Sequence, residues 1–176
     1  ISQNPCYSQE KQILLEDIWK NYSFFPKSYS GLNSMNNGEF YTQIKNTEDG
    51  QEIIKYSFKN GNRIVRLFKS SDFKIKRINS YSLSDDDELM LLATETESIY
   101  RYSRKAIYYV FNIQNNKLKK LSENKIRYPT FSPDRSKIAY VFENNLFIKD
   151  ITNGKETQIT FNGKKNHIIN GASDWV

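Results

Sequence analysis

Arg101 is the residue of this sequence whose type and surroundings best suit ligand binding. It stands between Tyr100 and Tyr102 in a segment that mixes acids, aromatics and cations. An arginine side chain presents a planar fork of N–H donors that can hold an oxygen ligand. The same three residues also fit a surface arginine lying over two tyrosine rings. We therefore treat Arg101 as a candidate substrate-binding residue, with that structural interpretation as the alternative.

Motifs for covalent or metal catalysis are missing from the 176 residues. The sequence has no G-x-S-x-G nucleophile elbow, no glycine-rich phosphate loop and no second histidine beside His167. The single Cys6 excludes an intramolecular disulfide and a cysteine zinc cluster. We predict no catalytic residue, no metal site and no cofactor in this stretch, and we interpret His167 as structural.

The net charge of +6 raises the question of a nucleic-acid partner. The basic residues are scattered in short sets that alternate with apolar residues, which is typical of a solvated sheet face. The longest apolar run, Leu89–Ala93, is far shorter than the ~20 residues of a membrane helix. We expect no nucleic-acid partner and no membrane span. A start at Ile1, without a leader, favours an exported protein, periplasmic or secreted.

An internal repeat predicts the elements that position Arg101. Residues 83–92 align without gaps with residues 131–140, and each segment has an apolar residue, a serine, a turn containing Asp and an apolar run. A weaker copy begins at Asn36-Asn37-Gly38, about one period earlier. Each copy predicts strand, tight turn, strand, and later turn signals predict two further strands in each unit.

The apolar runs of these units indicate how the units pack. Ile138–Phe142 is apolar on both faces, so both faces of its sheet need cover from a neighbour. We predict an all-β fold of about three β-propeller blades, each a four-stranded antiparallel meander. An antiparallel sandwich of unequal hairpins is the alternative. Because propellers typically have about four to eight blades, we expect the gene product to continue beyond Val176.

We divide the chain into the segments of a single partial propeller domain. They are an N-terminal segment of strand plus helical turn at 1–20, blade 1 at 21–70, blade 2 at 71–124 with an inserted hairpin at 94–106, blade 3 at 125–164, and the start of the next blade at 165–176. In the first segment a strand or an extended segment is expected over Ile13–Leu15, with a helical turn over Glu16–Lys20 after it. The inserted hairpin contains Arg101, and loops that project from a rigid scaffold concentrate binding residues.

Several motifs, taken in order, resemble the amino-terminal propeller region of the dipeptidyl peptidase IV family, serine peptidases of the prolyl oligopeptidase clan. The matching segments are 13–19, 131–134, 137–148 and 170–176. The last of them, Asn-Gly-x-x-Asp-Trp-Val, is the most specific. The resemblance covers nearly the whole chain, and a composition rich in Lys, Asn, Tyr and Ile suits a bacterial member.

The resemblance implies an eight-bladed propeller capping a carboxy-terminal α/β-hydrolase domain, which holds the Ser, Asp and His of the catalytic triad. It implies release of dipeptides from peptides with a free amino terminus and a penultimate Pro or Ala. Arg101 matches an arginine that binds a substrate carbonyl, whereas Arg104 falls outside that cavity. The implied partners are the peptide substrate, the hydrolase domain of the same parent chain and a second copy in a homodimer.

Two other functions stay open at this point. A propeller without an attached enzyme would be a protein-interaction module. The Arg101 hairpin together with Lys119 and Lys120 could instead bind a polyanion.

Overall fold

A computed structural model describes residues 12–26 and 31–172, and the chain divides into two compact units, residues 1–30 and 31–176. The described part of the first unit has one short helix, α1 (Leu15–Trp19). No strand forms over Ile13–Leu15: Leu14 is extended, and the helical turn expected from Glu16 begins one residue earlier, at Leu15. The Asp17 carboxylate accepts a hydrogen bond from the Leu14 N–H at 3.2 Å, and the Asp17 N–H donates to the Leu14 carbonyl at 3.0 Å. These bonds use the N–H and carbonyl groups of Leu14 at the start of the helix, so those groups are not available for pairing with another strand.

Among residues 31–172, twelve strands form three four-stranded antiparallel sheets, each a meander in chain order. The all-β fold and the four-stranded meanders predicted from the repeat are confirmed. A 3-10 helix, Ser70–Phe73, follows the first sheet. Sheet 1 contains β1 (Leu32–Ser34), β2 (Phe40–Thr47), β3 (Gly50–Ser57) and β4 (Arg63–Lys69); sheet 2 contains β5 (Ser80–Leu83), β6 (Leu89–Ser98), β7 (Arg104–Asn112) and β8 (Lys117–Lys120); sheet 3 contains β9 (Arg127–Phe131), β10 (Lys137–Phe142), β11 (Asn145–Asp150) and β12 (Glu156–Gln158).

The hairpin expected at 94–106 is an extension of two central strands. β6 and β7 continue through most of it, with Glu97 opposite Lys105 and Ser98 opposite Arg104. Only residues 99–103 form the connecting turn. The register shifts between Thr94 and Glu97, so a β-bulge bends the hairpin where it leaves the body of the sheet.

Strand β6 buries alternate side chains in two different cores. Met90 and Leu92 face sheet 1 and Leu91 faces sheet 3, and each of the three is at most 2% exposed. Both faces of sheet 2 are therefore covered by a neighbouring sheet, as the apolar runs require. The core between sheets 1 and 2 contains Ile53, Phe68, Ile75, Ile78, Met90, Leu92 and Phe111, and the core between sheets 2 and 3 contains Leu91, Val110, Leu121, Ile126, Ile138 and Tyr140.

The repeated turn has the same hydrogen bonds in sheets 2 and 3. In sheet 3 the Ser132 hydroxyl donates to the Asp134 carboxylate at 2.6 Å and accepts from the Lys137 N–H at 3.0 Å. These bonds close the turn between the first two strands, which explains why serine and aspartate recur there. The equivalent bonds in sheet 2 join Ser84 to Asp86 and Leu89.

Equivalent turns of neighbouring sheets are also joined to one another. The Asn36 N–H of sheet 1 donates to the Asp87 carboxylate of sheet 2 at 3.0 Å. Arg135 of sheet 3 forms ion pairs with Asp86 and Glu88 of sheet 2. The acidic turn of sheet 2 therefore links the turns on both sides of it.

No helix in the described part of the chain is long and apolar enough to cross a membrane.

The 176-residue chain expressed by itself is expected to self-associate. Its sheet 1 exposes several large apolar side chains, and β4 forms an edge of that sheet, which other strands can pair with. Ile64 and Val65 of this strand are 51% and 47% exposed. Light scattering should report oligomers, and the double substitution Ile64→Lys, Val65→Lys should reduce them. A monodisperse monomer of the unsubstituted chain would contradict this expectation.

Ser132 is expected to set the acidity of Asp134. Its hydroxyl, followed by the backbone and side chain of Ser136, lowers the pKa of Asp134 from 3.8 to about 2. A carboxyl pKa that is lower in the folded state than in the unfolded state stabilises the fold at pH values above the unfolded-state pKa. This contribution disappears as the pH falls through about 2. Ser132→Ala should raise the pKa of Asp134 in a carboxyl NMR titration. Ser84→Ala, in the equivalent turn of sheet 2, should leave the Asp134 titration unchanged.

Candidate functional site

Arg101 lies at the tip of the hairpin that joins β6 to β7. The Ile99 N–H closes the turn by donating to the Ser103 carbonyl at 2.8 Å. Arg101 is exposed, and its guanidinium carbon lies 5.8 Å from the centre of the Tyr102 ring. No described residue accepts a hydrogen bond or forms an ion pair with the Arg101 guanidinium. Arg101 therefore contacts one of the two tyrosine rings that the structural interpretation expected, Tyr102. Its N–H groups can still bind a ligand.

Sheet 3 holds the hairpin turn through Tyr128. The Tyr128 hydroxyl lies 3.2 Å from the Ser103 hydroxyl, two residues after Arg101. Arg127 donates to the same Tyr128 hydroxyl at 3.3 Å and lies over the Tyr128 ring at 5.0 Å. These two hydrogen bonds, with the Ser103 bond the larger cause, lower the pKa of Tyr128. The tip of the hairpin is therefore fixed to the next sheet.

Tyr128 takes an unusual backbone conformation to reach the hairpin. Its φ is 52°, and the pairing of β9 with β10 shifts register between Ala139 and Val141. A left-handed conformation of a bulky residue costs about 1–3 kcal/mol and persists only where surrounding contacts enforce it. Sequence reasoning missed Tyr128, since its partner Ser103 is 25 residues away and no local pattern marks the contact.

An ion-pair network holds the side of the hairpin as well. Glu97 lies 3.0 Å from the Lys105 ammonium on the opposite strand and 3.4 Å from that of Lys125, just before sheet 3. The hydrogen bond from Lys105 is the main cause of a lowered Glu97 pKa. Glu97 therefore neutralises part of the positive charge on this side of the hairpin.

The hairpin stands between two hollows. Neighbouring residues of a strand point to opposite faces, so Arg104 lines one hollow and Lys105 the other. The larger hollow, about 900 Å³, lies between the hairpin and sheet 3, whereas the smaller one is about 210 Å³. Arg101 lines neither of these two. The hairpin contributes Tyr100 and Lys105 to the larger hollow, and Tyr102 and Arg104 to the smaller one.

The far wall of the larger hollow is the segment that follows sheet 3. The backbone N–H and side-chain amide of Asn170 both donate to the Asn144 carbonyl, at 2.9 and 3.1 Å. The Gly163 N–H donates to the Asn145 side chain at 2.9 Å. A Cβ at Gly163 would lie only 2.5 Å from the Asn144 carbonyl oxygen, so this close approach requires glycine. His167 lies exposed in a turn of the same segment.

Within residues 12–26 and 31–172, no group of three or more His, Cys, Asp or Glu side chains is arranged to hold a metal ion. Besides Glu97, which is paired with two lysines, the polar side chains around the hairpin are mainly arginines, lysines, tyrosines and serines. Such a set binds peptide oxygens or anions and supplies no activated nucleophile.

Three consecutive antiparallel meanders that share their cores define the protein as β-propeller blades. Residues 84–176 match the family described as Dipeptidyl peptidase IV (DPP IV) N-terminal region. The chain belongs to this family, and the family predicted from the sequence motifs is confirmed.

The following proteins, each much longer than this chain, are similar to it. Human prolyl endopeptidase FAP is 30% identical over 165 residues, which cover 93% of this chain and 20% of that protein. The rat inactive dipeptidyl peptidase 10 is 25% identical over 140 residues, 77% of this chain and 18% of that protein. The crystal structure of Porphyromonas gingivalis dipeptidyl peptidase 4 superposes with a TM-score of 0.78 at 35% identity, over 94% of this chain and 24% of that one. The chain spans about a fifth of the length of the curated relatives it matches.

Tyr128→Phe is expected to loosen the hairpin tip without unfolding the sheets. The substitution removes only the hydroxyl that bonds Ser103 and Arg127. A hydrogen bond contributes about 0.5–1.5 kcal/mol net, so local opening should become about two- to tenfold more frequent. Trypsin cleavage after Arg101 should accelerate by that factor. Tyr56→Phe, at a ring stacked on Tyr41 in sheet 1, is the control and should cleave as the unsubstituted protein does.

Proposed function

We propose that this chain is the amino-terminal propeller portion of a serine-type dipeptidyl peptidase, and that Arg101 binds a carbonyl oxygen of the peptide substrate. The observation that carries the proposal is the Arg101 guanidinium, which has no hydrogen-bond acceptor among the described residues and stands at the tip of a fixed hairpin. The family of the chain and the named activity of the P. gingivalis protein support the peptidase assignment.

The chemistry of the parent protein would be acyl transfer. A serine of a downstream hydrolase domain attacks the carbonyl carbon after the second residue, a histidine moves the proton, and an aspartate orients that histidine. The proposal places all three of these residues in the downstream domain and gives the present chain a different role. Its part is to hold the amino-terminal end of the peptide at a fixed distance from the nucleophile, so that a dipeptide with penultimate Pro or Ala is released.

An ordered hairpin backbone makes this role physically effective. Binding through a flexible loop would add the cost of ordering its backbone, about 1–2 kcal/mol for each residue fixed, to the rotamer freedom that the arginine side chain itself loses. The Ser103 to Tyr128 bond and the Glu97 ion pairs order the hairpin before the substrate arrives. The carbonyl then meets a charged donor whose backbone is already in place.

A non-catalytic interaction module is the second candidate. The rat relative that carries the name inactive dipeptidyl peptidase 10 favours it, because a chain of this family can be part of a protein without peptidase activity. A serine nucleophile elbow in the downstream sequence of the parent protein would favour the peptidase, and its absence would favour the module.

The polyanion alternative is disfavoured by the positions of its basic residues. Lys119 pairs with Val110 on β7, six residues along the strand from Arg104 beside the hairpin turn. At ~3.3 Å per residue this places the two basic groups roughly 20 Å apart. Lys120 is also paired with Glu123 at 2.6 Å.

Arg101→Ala in the full-length protein should lower kcat/KM for dipeptide release by about tenfold to a hundredfold. The substitution removes a charge-assisted hydrogen bond worth about 1.5–3 kcal/mol, at roughly 1.4 kcal/mol per factor of ten. Arg101→Lys should also be impaired, because an ammonium keeps the charge and loses the fork. The midpoint of thermal unfolding should hardly move, since an exposed side chain contributes within about 0.5 kcal/mol.

Lys119→Ala is the matched control, an exposed cation on β8 away from the hairpin tip, and its kcat/KM should equal that of the unsubstituted protein. Unchanged kinetics in Arg101→Ala would remove the proposed role of Arg101. Equal losses at Arg101 and Lys119 would point instead to a general effect of positive charge.

A further inference from the structure

The smaller hollow beside the hairpin contains a cation without a counter-ion. Arg104 opens β7, and its guanidinium forms no hydrogen bond or ion pair with any described residue. Its neighbour Lys105, on the opposite face of the strand, is paired with Glu97 at 3.0 Å. No Asp or Glu is among the residues that line the smaller hollow. Glu97 thus compensates Lys105 and leaves Arg104 uncompensated.

Tyrosines form half of the wall around Arg104, and two of them are held by hydrogen bonds. The Tyr81 hydroxyl donates to the Thr42 hydroxyl of sheet 1 at 2.8 Å. Tyr128 is held by Ser103 and Arg127, as described above. The hollow therefore has preformed walls contributed by sheets 2 and 3. The side chains that line it include Tyr81, Tyr102, Arg104, Tyr108 and Tyr128.

Tyr108 adds a second polar group that lacks a partner. It is half-buried, and its hydroxyl bonds to no described residue. Burial, and then the nearby Tyr128, raise the pKa of Tyr108, so the phenol stays protonated at neutral pH. A protonated phenol can donate one hydrogen bond, and the guanidinium of Arg104 can donate several. The hollow therefore offers donors from two side chains and no acidic acceptor.

We propose that Arg104 and Tyr108 form a subsite for a carboxylate group. A carboxylate accepts two parallel N–H bonds from one guanidinium and a third bond from a phenol. The volume of about 210 Å³ suits a small carboxylate, such as an acidic side chain or a peptide carboxyl terminus.

The ligand we assign to this subsite rests on the proposed function, in which Arg101 binds a peptide. Arg101 and Arg104 are three residues apart in the chain, so their Cα atoms are at most ~11 Å apart. An extended peptide covers this distance in about three residues. An acidic residue close to the carbonyl bound by Arg101 would therefore reach Arg104, and the subsite would favour peptides that carry Glu or Asp at that position.

The test uses the full-length protein and a peptide series in which one position at a time carries Glu or its neutral isostere Gln. At one position the kcat/KM ratio of Glu to Gln should be about ten, and Arg104→Gln should bring that ratio to about one. Arg104→Lys should give an intermediate ratio, because it keeps the charge without the fork. Lys119→Gln, which removes a cation from β8, should leave the ratio unchanged. A Glu to Gln ratio well above one that Arg104→Gln leaves unchanged overturns the proposal.

Two further arms separate this subsite from the role of Arg101 and from a free acid as ligand. Arg101→Ala should lower kcat/KM for both the Glu and the Gln peptide and keep the ratio between them. If Arg101→Ala has no effect while the ratio still depends on Arg104, only the proposed role of Arg101 is overturned. Glutarate in a thermal-shift titration serves as the free carboxylate. A rise in Tm that Arg104→Gln abolishes, without any peptide preference, supports the carboxylate subsite with a free acid as its ligand. If the protein shows neither a peptide preference nor a glutarate shift that depends on Arg104, the proposal is overturned.

Discussion

Apolar side chains on both faces of β6 must be kept from water, and a single antiparallel sheet cannot cover its own two faces. Met90 and Leu92 on one face and Leu91 on the other are almost fully buried, because sheets 1 and 3 lie against sheet 2. Burial of each such side chain contributes about 1.5–3 kcal/mol, so the sum over the two cores exceeds any single polar contact between the sheets. This double burial fixes the order of the sheets. Every site described here depends on it, since each combines side chains from neighbouring sheets.

Polar contacts between the sheets have a different role from the cores. The Arg135 pairs with Asp86 and Glu88 are partly exposed, and exposed ion pairs contribute only about 0–1 kcal/mol. The Asn36 bonds to Asp87 are exposed too. These joints add little to the free energy of folding, but they are directional. They align the equivalent turns of three sheets, because a hydrogen bond requires its two partners at a defined distance and angle, whereas the hydrophobic effect is not directional.

The hairpin shows how a rigid scaffold prepares a binding surface. Its two strands are continuous with the buried centre of sheet 2, and its tip is fixed to sheet 3 through Tyr128. The left-handed backbone of Tyr128 is a local cost that the surrounding contacts maintain. In return, the cations Arg101 and Arg104 are presented on an ordered backbone, one at the tip and one facing a tyrosine-lined hollow. Under the proposed function, these two cations would bind two different oxygen ligands of the same peptide.

Local hydrogen bonding explains what the sequence by itself determined. The turn around Ser132 closes with bonds to residues two and five positions away, so its residue types predicted the strands on both sides of it. The alternation of apolar residues predicted strands covered on both faces, and the ordered motifs predicted the family. Only the tertiary structure decided which face of the hairpin carries Arg104 and that Tyr128 holds the tip. For Tyr128 the reason is the register shift between β9 and β10, where two residues of β9 oppose one of β10 and the alternation of side chains is broken. Arg104 follows the unbroken alternation of β7, and the packing of sheet 3 against the face that carries Tyr108 and Val110 decides what surrounds it. Alternation in the sequence cannot show such a shift, because a bulge depends on how the paired strand and the neighbouring sheet pack.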